Sequence, residues 1–399
     1  MKEAFLFDAL RSPRARAKDS GALHELTPQA LLQQLYAALL QRTGLDPASV
    51  DDVILGCVTQ QGEQAGNIAK SSTLYSGWPS WVPGITVNRY CSSGIDAIAL
   101  AGAKINAGLA ATVVAGGVEM MSRVPMLADK ARVFSDPEFA VACKMLMMGS
   151  GADLIASLHG VSREAADAIA LGSQQRAAHA RDAGFYSKSI VPIETTGGQV
   201  DQDECIRVGI TAEDLAALPP AFAELGAAGT DAIQLRGHEH LDSITHIHTA
   251  GNSPAMADGA ALVLIGDNEL ASRCGTSPRA RITASITVSS DPLQVLSGCV
   301  EAARALMQRQ GLSSADVDLF EVHEAFAATS VMCMQTLGID ESKLNVNGGV
   351  IALGHPMGAT GAMMAGMLLD ELERRDLSCG IVSAAGAAGT GSALFIERI

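Results

Sequence analysis

One cysteine lies where a strand-like run gives way to an apolar helical pattern. In VNRYCSSGIDAIALAGAKI the strand ends near Tyr90, and the serines after Cys91 open a helix over about 94–108. A helix N-terminus offers free N–H groups and the positive end of the helix dipole, which lower the pKa of a thiol and can hold an oxyanion. Cys91 is therefore a candidate nucleophile. A buried cysteine packed at a strand end is the alternative interpretation.

Two histidines occupy similar turns. FEVHEAFAATS places His323 and Glu324 between a strand and a helix, a position typical of active-site residues in α/β folds. A His–Glu pair that merely caps the helix is the alternative. NVNGGVIALGHPMGATG holds His355 in a glycine-rich turn that Pro356 stiffens, and the glycines would let a substrate approach a histidine base. The three turns together predict a thiolate, a general base and an oxyanion donor.

Two other patterns suggest ligand sites only weakly. The pairs His238/His240 and His246/His248 could each chelate a metal from a strand, but no acidic or cysteine ligand is obviously placed to complete either set. HEAFA is not a zinc-binding HExxH motif. We therefore expect structural or solvated histidines and no metal. The small-residue run GIVSAAGAAGTGSALFIERI at 380–399 lacks both phosphate-loop patterns, GxxxxGK[ST] and GxGxxG.

Composition excludes several classes of function. The net charge is −15 and no basic block occurs, which argues against binding to nucleic acid or to anionic membranes. The uncharged stretch 344–369 contains His355, Pro356 and six glycines, so we expect a buried turn there and not a membrane span. The eight cysteines show no framework spacing, and the first residues lack a signal peptide. These features predict reduced thiols and a cytoplasmic location.

An internal duplication indicates two related halves. QRTGLDPASVDDV (41–53) and QRQGLSSADVDLF (308–320) share seven of thirteen residues without gaps. Each copy follows a helical pattern and leads into a strand-like run, and strands alternate with helices on both sides. The alternation predicts an α/β fold with right-handed βαβ units and largely parallel sheets. Residues 1–120 with 250–270 would form one half and 271–399 the other, while 121–249, with a helix over 163–182, would be inserted between them.

Taken together, these segments resemble the thiolase family of acetyl-CoA and 3-ketoacyl-CoA acyltransferases. VNRYCSSG is similar to its nucleophile motif, DECIRVGITAEDLAALPPAF to its coenzyme-A loop, and NVNGGVIALGHPMGATG to its histidine loop; GGVEMMSRVP and TAGNSPAMADGAALVL flank the inserted domain. The resemblance implies a five-layered αβαβα fold in which residues 121–249 cover coenzyme A. It also implies coenzyme A thioesters as substrates, no permanently bound cofactor, and a homodimer or homotetramer.

The resemblance also assigns roles to individual residues. Cys91 would take the acyl group, and His355 would activate it. His323 stands where most members have asparagine, as in the branch similar to long-chain fatty-acid oxidation complexes. Backbone N–H groups of Cys91 and Ala387 would form the oxyanion site. Contacts to coenzyme A would come from Arg207, Phe222, Ser253 and Phe326, with Ser253 in doubt because the family's usual serine falls at Pro254.

The resemblance fails at one catalytic position. Aligned without gaps from the C-terminus, the second acid/base cysteine of the family falls at Ala385, which cannot transfer a proton. A shifted alignment would place Ser383 there, but a hydroxyl is too weak an acid for the role. Cys379 is six residues away, which is about 20 Å along a strand.

Several functions fit this altered residue set. The first is thiolase-type acyl transfer in which His323 has taken over proton transfer. The second is a condensing or acyl-transfer enzyme on acyl-CoA without thiolysis, and the third is an acyl-CoA-binding scaffold paired with a different subunit. An engineered alanine at 385 is a fourth reading. Retention of Cys91, His323 and His355 disfavours the scaffold. The insertion at 223–246 is where unusual specificity or a partner contact is expected.

Overall fold

The computed structural model describes residues 2–399. The strands are β1 Phe5–Arg11, β2 Ala15–Arg16, β3 Asp52–Gly56, β4 Gly84–Val87, β5 Thr112–Met120, β6 Ile193–Thr195, β7 Gly198–Val200, β8 Ala257–Gly266, β9 Ala280–Ser289, β10 Leu319–Val322, β11 Cys379–Ala385 and β12 Thr390–Arg398. The helices are α1 Pro28–Thr43, α2 Ile68–Tyr75, α3 Ser93–Asn106, α4 Arg132–Ser135, α5 Pro137–Ala142, α6 Met148–Leu158, α7 Arg163–Asp182, α8 Ala212–Ala216, α9 Ala223–Leu225, α10 Asp231–Gly237, α11 Leu270–Arg273, α12 Gly298–Gln310, α13 Ala327–Leu337, α14 Val350–Leu353 and α15 Met357–Arg374.

The strands of both halves join in one sheet. Its order is β10-β11-β12-β9-β1-β8-β5-β3-β4, with β2 paired to β8. The halves meet where β1 pairs with β9 over only two residues, Phe5 with Arg281 and Leu6 with Ala280. The expectation of largely parallel sheets was wrong. Only β3–β4, β3–β5 and β10–β11 are parallel, because each half adds antiparallel strands to its βαβ unit, such as the hairpin of β11 and β12.

Apolar clusters pack the helices against the strands. One face of the N-terminal strands packs on α1 through leucines that include Leu31, Leu35 and Leu39. Helices α3 and α15 lie in a central layer between the two parts of the sheet, and their apolar residues meet strand residues of both halves. On the far side, α12 and α13 cover β10, β11 and β12. Burial of these apolar stripes is the main term that stabilises the layers.

The repeated sequence folds in the same way twice. Gly44 caps the C-terminus of α1 and Gly311 that of α12, with φ of 65° and 68° respectively. Glycine reaches this left-handed region without a steric penalty, so both copies stop a helix at the same point. A single 3₁₀ turn follows each helix before β3 or β10 begins. The duplication in sequence is therefore a duplication of helix, turn and strand.

A long insertion separates β5 from β8. It holds α4 to α10 and the small β6–β7 hairpin. The helix α7 spans Arg163–Asp182, as the sequence pattern predicts. The loop that precedes α14 lies against α7, where a Cβ on Gly348 would be 2.7 Å from the Ala177 Cβ. Within residues 2–399, no helix is both long and apolar enough to cross a membrane.

Candidate active site

The structure brings Cys91, His323 and His355 together. The Nε2 atom of His355 lies 3.0 Å from the Cys91 Sγ, and the rings of His323 and His355 have centroids 4.4 Å apart. Each residue belongs to a turn. Cys91 precedes the Ser92 cap of α3, His323 follows β10, and His355 precedes α15. Residues far apart in sequence thus share one site because two strand–helix turns and the turn between α14 and α15 open at the same place.

Two helix N-termini in close contact set the distance between Cys91 and His355. A Cβ on Gly94 of α3 would be 2.7 Å from the Ala362 backbone N, and one on Gly361 of α15 would be 2.6 Å from the Ile95 N. Real Cβ atoms are essentially never that close to backbone. The two glycines therefore let the first turns of α3 and α15 touch, and the residues just before those turns meet as a result.

Local hydrogen bonds fix the turn that carries Cys91. Tyr90 has φ of 50°, which is uncommon for a residue with a Cβ. The Tyr90 N–H donates to Asn88 Oδ1 at 2.9 Å, and the Ser93 Oγ accepts from the Arg89 N–H at 2.8 Å. The Ser92 hydroxyl donates to the Ala384 carbonyl at 2.8 Å. This last bond ties the nucleophile turn to the strand that ends at Ala385.

His355 is held from both sides. Its backbone N–H donates to the Ala255 carbonyl at 2.8 Å, and Gly354 before it has φ of 93°. Its Nδ1 lies 2.8 Å from the Thr360 hydroxyl, one turn into α15. With Nδ1 occupied by Thr360, Nε2 is the atom left to exchange a proton with the Cys91 thiol.

The electrostatics correct one expectation about the thiol. Burial, together with the nearby Glu119 carboxylate, raises the pKa of Cys91 to about 12, although its own backbone N–H acts in the opposite direction. Burial, then His323 and Arg14, lower the pKa of His355 well below its ordinary value. Both shifts oppose the thiolate that the sequence predicts and favour a neutral thiol beside a neutral imidazole, a pair in which the imidazole can take the proton as the sulfur attacks.

His323 is buried without a protein partner. It is 2% exposed, and neither ring nitrogen has a hydrogen bond to any residue within 2–399. Burial lowers the pKa of His323 to about 4, and a backbone group of Ala385 offsets part of that shift. The backbone N–H of His323 donates to the Ser383 carbonyl at 2.8 Å. The Ala385 backbone is therefore close to the ring, but neither ring nitrogen completes a hydrogen bond to it, and both can still bind substrate or water.

Ala385 ends β11 beside His323 and is completely buried. Ser383, two residues earlier, donates its hydroxyl to the Cys299 carbonyl on α12, so it is engaged elsewhere and not at the site. The small-residue turn that follows is crowded by the nucleophile turn, because a Cβ on Gly386 would be 2.9 Å from the Arg89 carbonyl oxygen. Close approach of another chain segment therefore explains part of this run.

A cavity of about 150 Å³ opens beside Cys91. Ala387 lines it, together with apolar side chains. Leu127, Phe134 and Met148 come from the insertion, and Leu296 comes from the loop before α12. An apolar cavity next to a nucleophile can hold a hydrocarbon chain. Asp129 and Tyr90 are among its polar lining residues.

The four residues named for coenzyme A lie elsewhere, around the segment 250–253. Arg207 donates to the Ala250 carbonyl at 3.3 Å. The Ser253 hydroxyl is buried with no partner among the described residues. The rings of Phe222 and Phe326 meet edge to face at 5.8 Å. None of the four lines the cavity beside Cys91.

Sequence reasoning missed Glu119. This buried carboxylate on β5 accepts hydrogen bonds from the N–H groups of Val58, Thr59 and Gly358 and from the Gln64 amide, at 2.8–3.0 Å. Its bond to Gly358 anchors the first turn of α15. The available signal was a charged residue within an otherwise apolar strand, AGGVEM.

The histidine-rich segment is bound to aspartates of the insertion. Asp153 on α6 is contacted by His246 Nδ1 at 2.9 Å and by His248 Nδ1 at 2.7 Å, and His246 Nε2 also reaches Asp231 at 3.1 Å. Acidic partners are thus present, although the sequence pattern did not obviously place any beside these histidines. Over residues 2–399, no group of three or more histidine, cysteine, aspartate and glutamate side chains is arranged to hold a metal.

Family models match both halves of the chain. Residues 5–232 match the family model of the thiolase N-terminal domain, and residues 276–398 match that of the thiolase C-terminal domain. The 3-ketoacyl-CoA thiolases of Bacillus subtilis (strain 168) and Erwinia tasmaniensis are 38% and 39% identical, each over 100% of both chains.

Solved structures give the same result. The Bacillus anthracis acetyl-CoA acetyltransferase superposes with a TM-score of 0.86 at 35% identity, covering 100% of this chain and 99% of that one. Human mitochondrial 3-ketoacyl-CoA thiolase in complex with CoA gives 0.87 at 33% identity, covering 100% and 98%. The expected mixed α/β thiolase fold is confirmed. With both thiolase domains matched along nearly its whole length, the chain belongs to the thiolase family and is an acyl-CoA C-acyltransferase.

Proposed function

We propose that the chain makes or cleaves 3-ketoacyl-CoA through an acyl-Cys91 intermediate. The observation that carries the proposal is the 3.0 Å contact between the Cys91 Sγ and the His355 Nε2. In cleavage, His355 takes the thiol proton while the sulfur attacks the 3-keto carbon, and the bond to the α-carbon then breaks. Coenzyme A releases the acyl group from Cys91 in the second half. Backbone N–H groups of Cys91 and Ala387 hold the developing oxyanion.

His323 is the proposed partner for the second proton. The carbanion of acetyl-CoA must gain a proton in cleavage, or acetyl-CoA must lose one in condensation, and Ala385 can do neither. His323 lies beside Ala385, and its ring contacts that of His355 at a tilted angle. Neither ring nitrogen makes a hydrogen bond within residues 2–399. This arrangement favours a working acyltransferase over an acyl-CoA-binding scaffold.

Coenzyme A itself is proposed to lie between the insertion 121–249 and the two halves, 1–120 with 250–270 and 271–399. Arg207, Phe222, Ser253 and Phe326 cluster around one segment, where a cation, a free hydroxyl and two rings suit a phosphorylated, amide-containing chain. No permanently bound cofactor takes part in this proposal. The similarity to a thiolase structure that contains CoA supports it.

A dimer or tetramer is also proposed. β4 forms one end of the sheet order, and Ile85 on this strand is 44% exposed. Trp81 and Tyr75 nearby in sequence are 70% and 55% exposed. An open edge strand beside exposed apolar side chains suits pairing with a second copy, which sedimentation equilibrium would detect as twice or four times the chain mass. A cytoplasmic location stays a prediction.

The proposed reaction can be tested in two measurements. Intact mass after incubation with a 3-ketoacyl-CoA should show one acyl group on the protein, and Cys91→Ala should abolish it. The absorbance of the ketoacyl-CoA should fall when coenzyme A is added. Acylation without thiolysis would favour a transfer or condensing enzyme that lacks thiolysis, and absence of acylation would favour the scaffold.

A further inference from the structure

A second, much smaller cavity lies beside His323. Its volume is about 10 Å³, and His323 lines it together with Arg14 and Glu321. Its remaining lining includes Leu353 and Met367, which are 0% and 4% exposed. A site of this size holds about one water molecule, provided that several polar groups surround it.

The polar groups around the cavity lack enough protein partners. Arg14 is 1% exposed, and its side-chain contacts are thioethers, with Nε 3.0 Å from the Met363 sulfur and Nη2 3.5 Å from the Met367 sulfur. Thioether sulfur is a weak acceptor. The Arg14 Nη1 and both His323 nitrogens have no partner within residues 2–399.

The aspartate beside the Arg14 backbone, Asp203, already pairs with another arginine. Arg11 forms a two-pronged pair with Asp203 at 2.7 and 2.8 Å. The carboxyl group that lines the small cavity with Arg14 is that of Glu321. A buried guanidinium without its own side-chain ion pair is costly, and a water together with the Glu321 carboxyl would offset that cost.

The charge states make Glu321 a proton donor. Burial, followed by repulsion from Glu324, raises the pKa of Glu321 well above its ordinary value, despite the attraction of Arg14. Burial lowers the pKa of Arg14 to about 10, so Arg14 stays cationic at neutral pH. The cavity is thus lined by a carboxyl group whose raised pKa favours its protonated form, by a cation and by an imidazole.

We infer that Glu321 is the proton reservoir for His323, linked to it by one water in this cavity, and that Arg14 stabilises the Glu321 carboxylate once its proton has left. The inference rests on the proposed role of His323. Both Glu321 and Arg14 act through another group and are positioning residues, since neither touches the reacting atoms.

The transfer balances as a concerted shift of protons. In cleavage, the electron pair of the breaking carbon–carbon bond goes to the α-carbon of acetyl-CoA, and a His323 N–H gives that carbon a proton. The other His323 nitrogen takes a proton from the water, which takes one from the Glu321 carboxyl. His323 is neutral before and after, so its low basicity is no obstacle. Condensation runs the same steps backwards.

Exchange of the acetyl-CoA α-hydrogens in D2O isolates this step. We expect the full-length wild type to exchange them, as followed by NMR, and Glu321→Gln to exchange about 10- to 100-fold more slowly, at or below the lower end of general acid–base effects because Glu321 acts through His323. Acylation of Cys91, which needs no α-proton, should stay within about twofold because Glu321 does not touch the thiol. Glu321→Asp should recover part of the exchange rate.

A matched control is Asp52→Asn. Asp52 is also a buried carboxylate, 6% exposed, but it pairs with Lys104 at the start of β3 and does not line the cavity. Its variant should exchange at the wild-type rate per folded molecule. Should Glu321→Gln fail to fold, Arg14→Met carries the test and should slow exchange in the same way.

The outcomes separate the inference from the proposed function. Wild-type exchange that is lost in His323→Ala but unchanged in Glu321→Gln or Arg14→Met overturns the inference and leaves the role of His323 intact. Exchange that survives in His323→Ala, or is missing from the wild type, overturns both. Equal losses of exchange and of acylation in Glu321→Gln would mean a structural role only, and would also overturn the inference.

Discussion

At the scale of single residues, the site differs from a simple thiolate centre. The helix N-terminus behind Cys91 is present, but burial and Glu119 act more strongly on the thiol. The proton must therefore leave Cys91 during the attack, and the 3.0 Å contact with His355 supplies a path for it. The shifted pKa values favour the neutral forms of Cys91 and His355, so neither needs to be solvated as an ion before the attack. Catalysis then depends on how well the attack and the proton transfer are aligned.

Ala385→Cys directly tests whether position 385 lacks an acid/base side chain. A thiol at the end of β11, beside His323, should share the second proton transfer, so we expect kcat for thiolysis to rise about tenfold, a modest part of a full general acid–base effect. Ser383→Cys is the control, because Ser383 lies on the same strand with its hydroxyl bonded to Cys299. Steady-state kinetics per folded molecule compares them. Equal rates for wild type and Ala385→Cys would contradict a proton-transfer role for position 385.

At the scale of elements, the contact between α3 and α15 governs the site. Both helices begin right after a catalytic candidate, and their first turns touch backbone to backbone through Gly94 and Gly361. Glu119 adds a second restraint by holding the Gly358 N–H at 3.0 Å. Separation of the two helices would lengthen the distance between Cys91 and His355.

Gly94→Ala should therefore damage both stability and acylation. The new Cβ would be 2.7 Å from the Ala362 N, and overpacking of this kind costs about 1–3 kcal/mol. Gly102→Ala on the same helix is the control, since its Cβ would meet Ala4 and Ile282 at 3.7–3.8 Å, an ordinary contact. Urea unfolding and the rate of Cys91 acylation give the two readouts. A Gly94→Ala protein as stable and active as Gly102→Ala would contradict the close-packed contact.

Sequence patterns predict some elements better than others. The helix 163–182 and the repeated helix–turn–strand follow from periodicity and from the glycines at 44 and 311, because these signals are local. The antiparallel pairing of β1, β8 and β9 could not be predicted, since strands from distant segments meet there. The same holds for Glu119 and for Asp153, whose partners come from other elements. Local sequence patterns predict the turns that carry Cys91, His323 and His355, but only the folded structure shows how close these turns lie to one another.

At the scale of the whole molecule, His246 joins separate parts of the insertion 121–249. It lies between Asp153 on α6 and Asp231 on α10, and Asp153 also holds His248, whose Nε2 accepts from the Ala328 N–H on α13 at 3.3 Å. This chain of contacts connects the insertion to the C-terminal half. Its strength depends on whether His246 carries a proton.

The stability of the folded chain should therefore fall as pH rises above neutrality. Burial alone would lower the pKa of His246, but Asp153 and Asp231 raise it above its ordinary value of 6.5. A group with a raised pKa stabilises the fold fully below its unfolded value and loses that effect as pH rises through the folded one. His246→Gln keeps a hydrogen-bonding side chain without the charge.

Thermal unfolding from pH 6 to 8.5 measures the difference. We expect the wild type to exceed His246→Gln by up to about 1 kcal/mol at pH 6, as for a partly exposed ion pair, and the gap to narrow with rising pH. His240→Gln is the control, because no ion pair of His240 is found among residues 2–399. A gap that stays constant, or widens, as pH rises would mean that His246 contributes through packing and not through its charge.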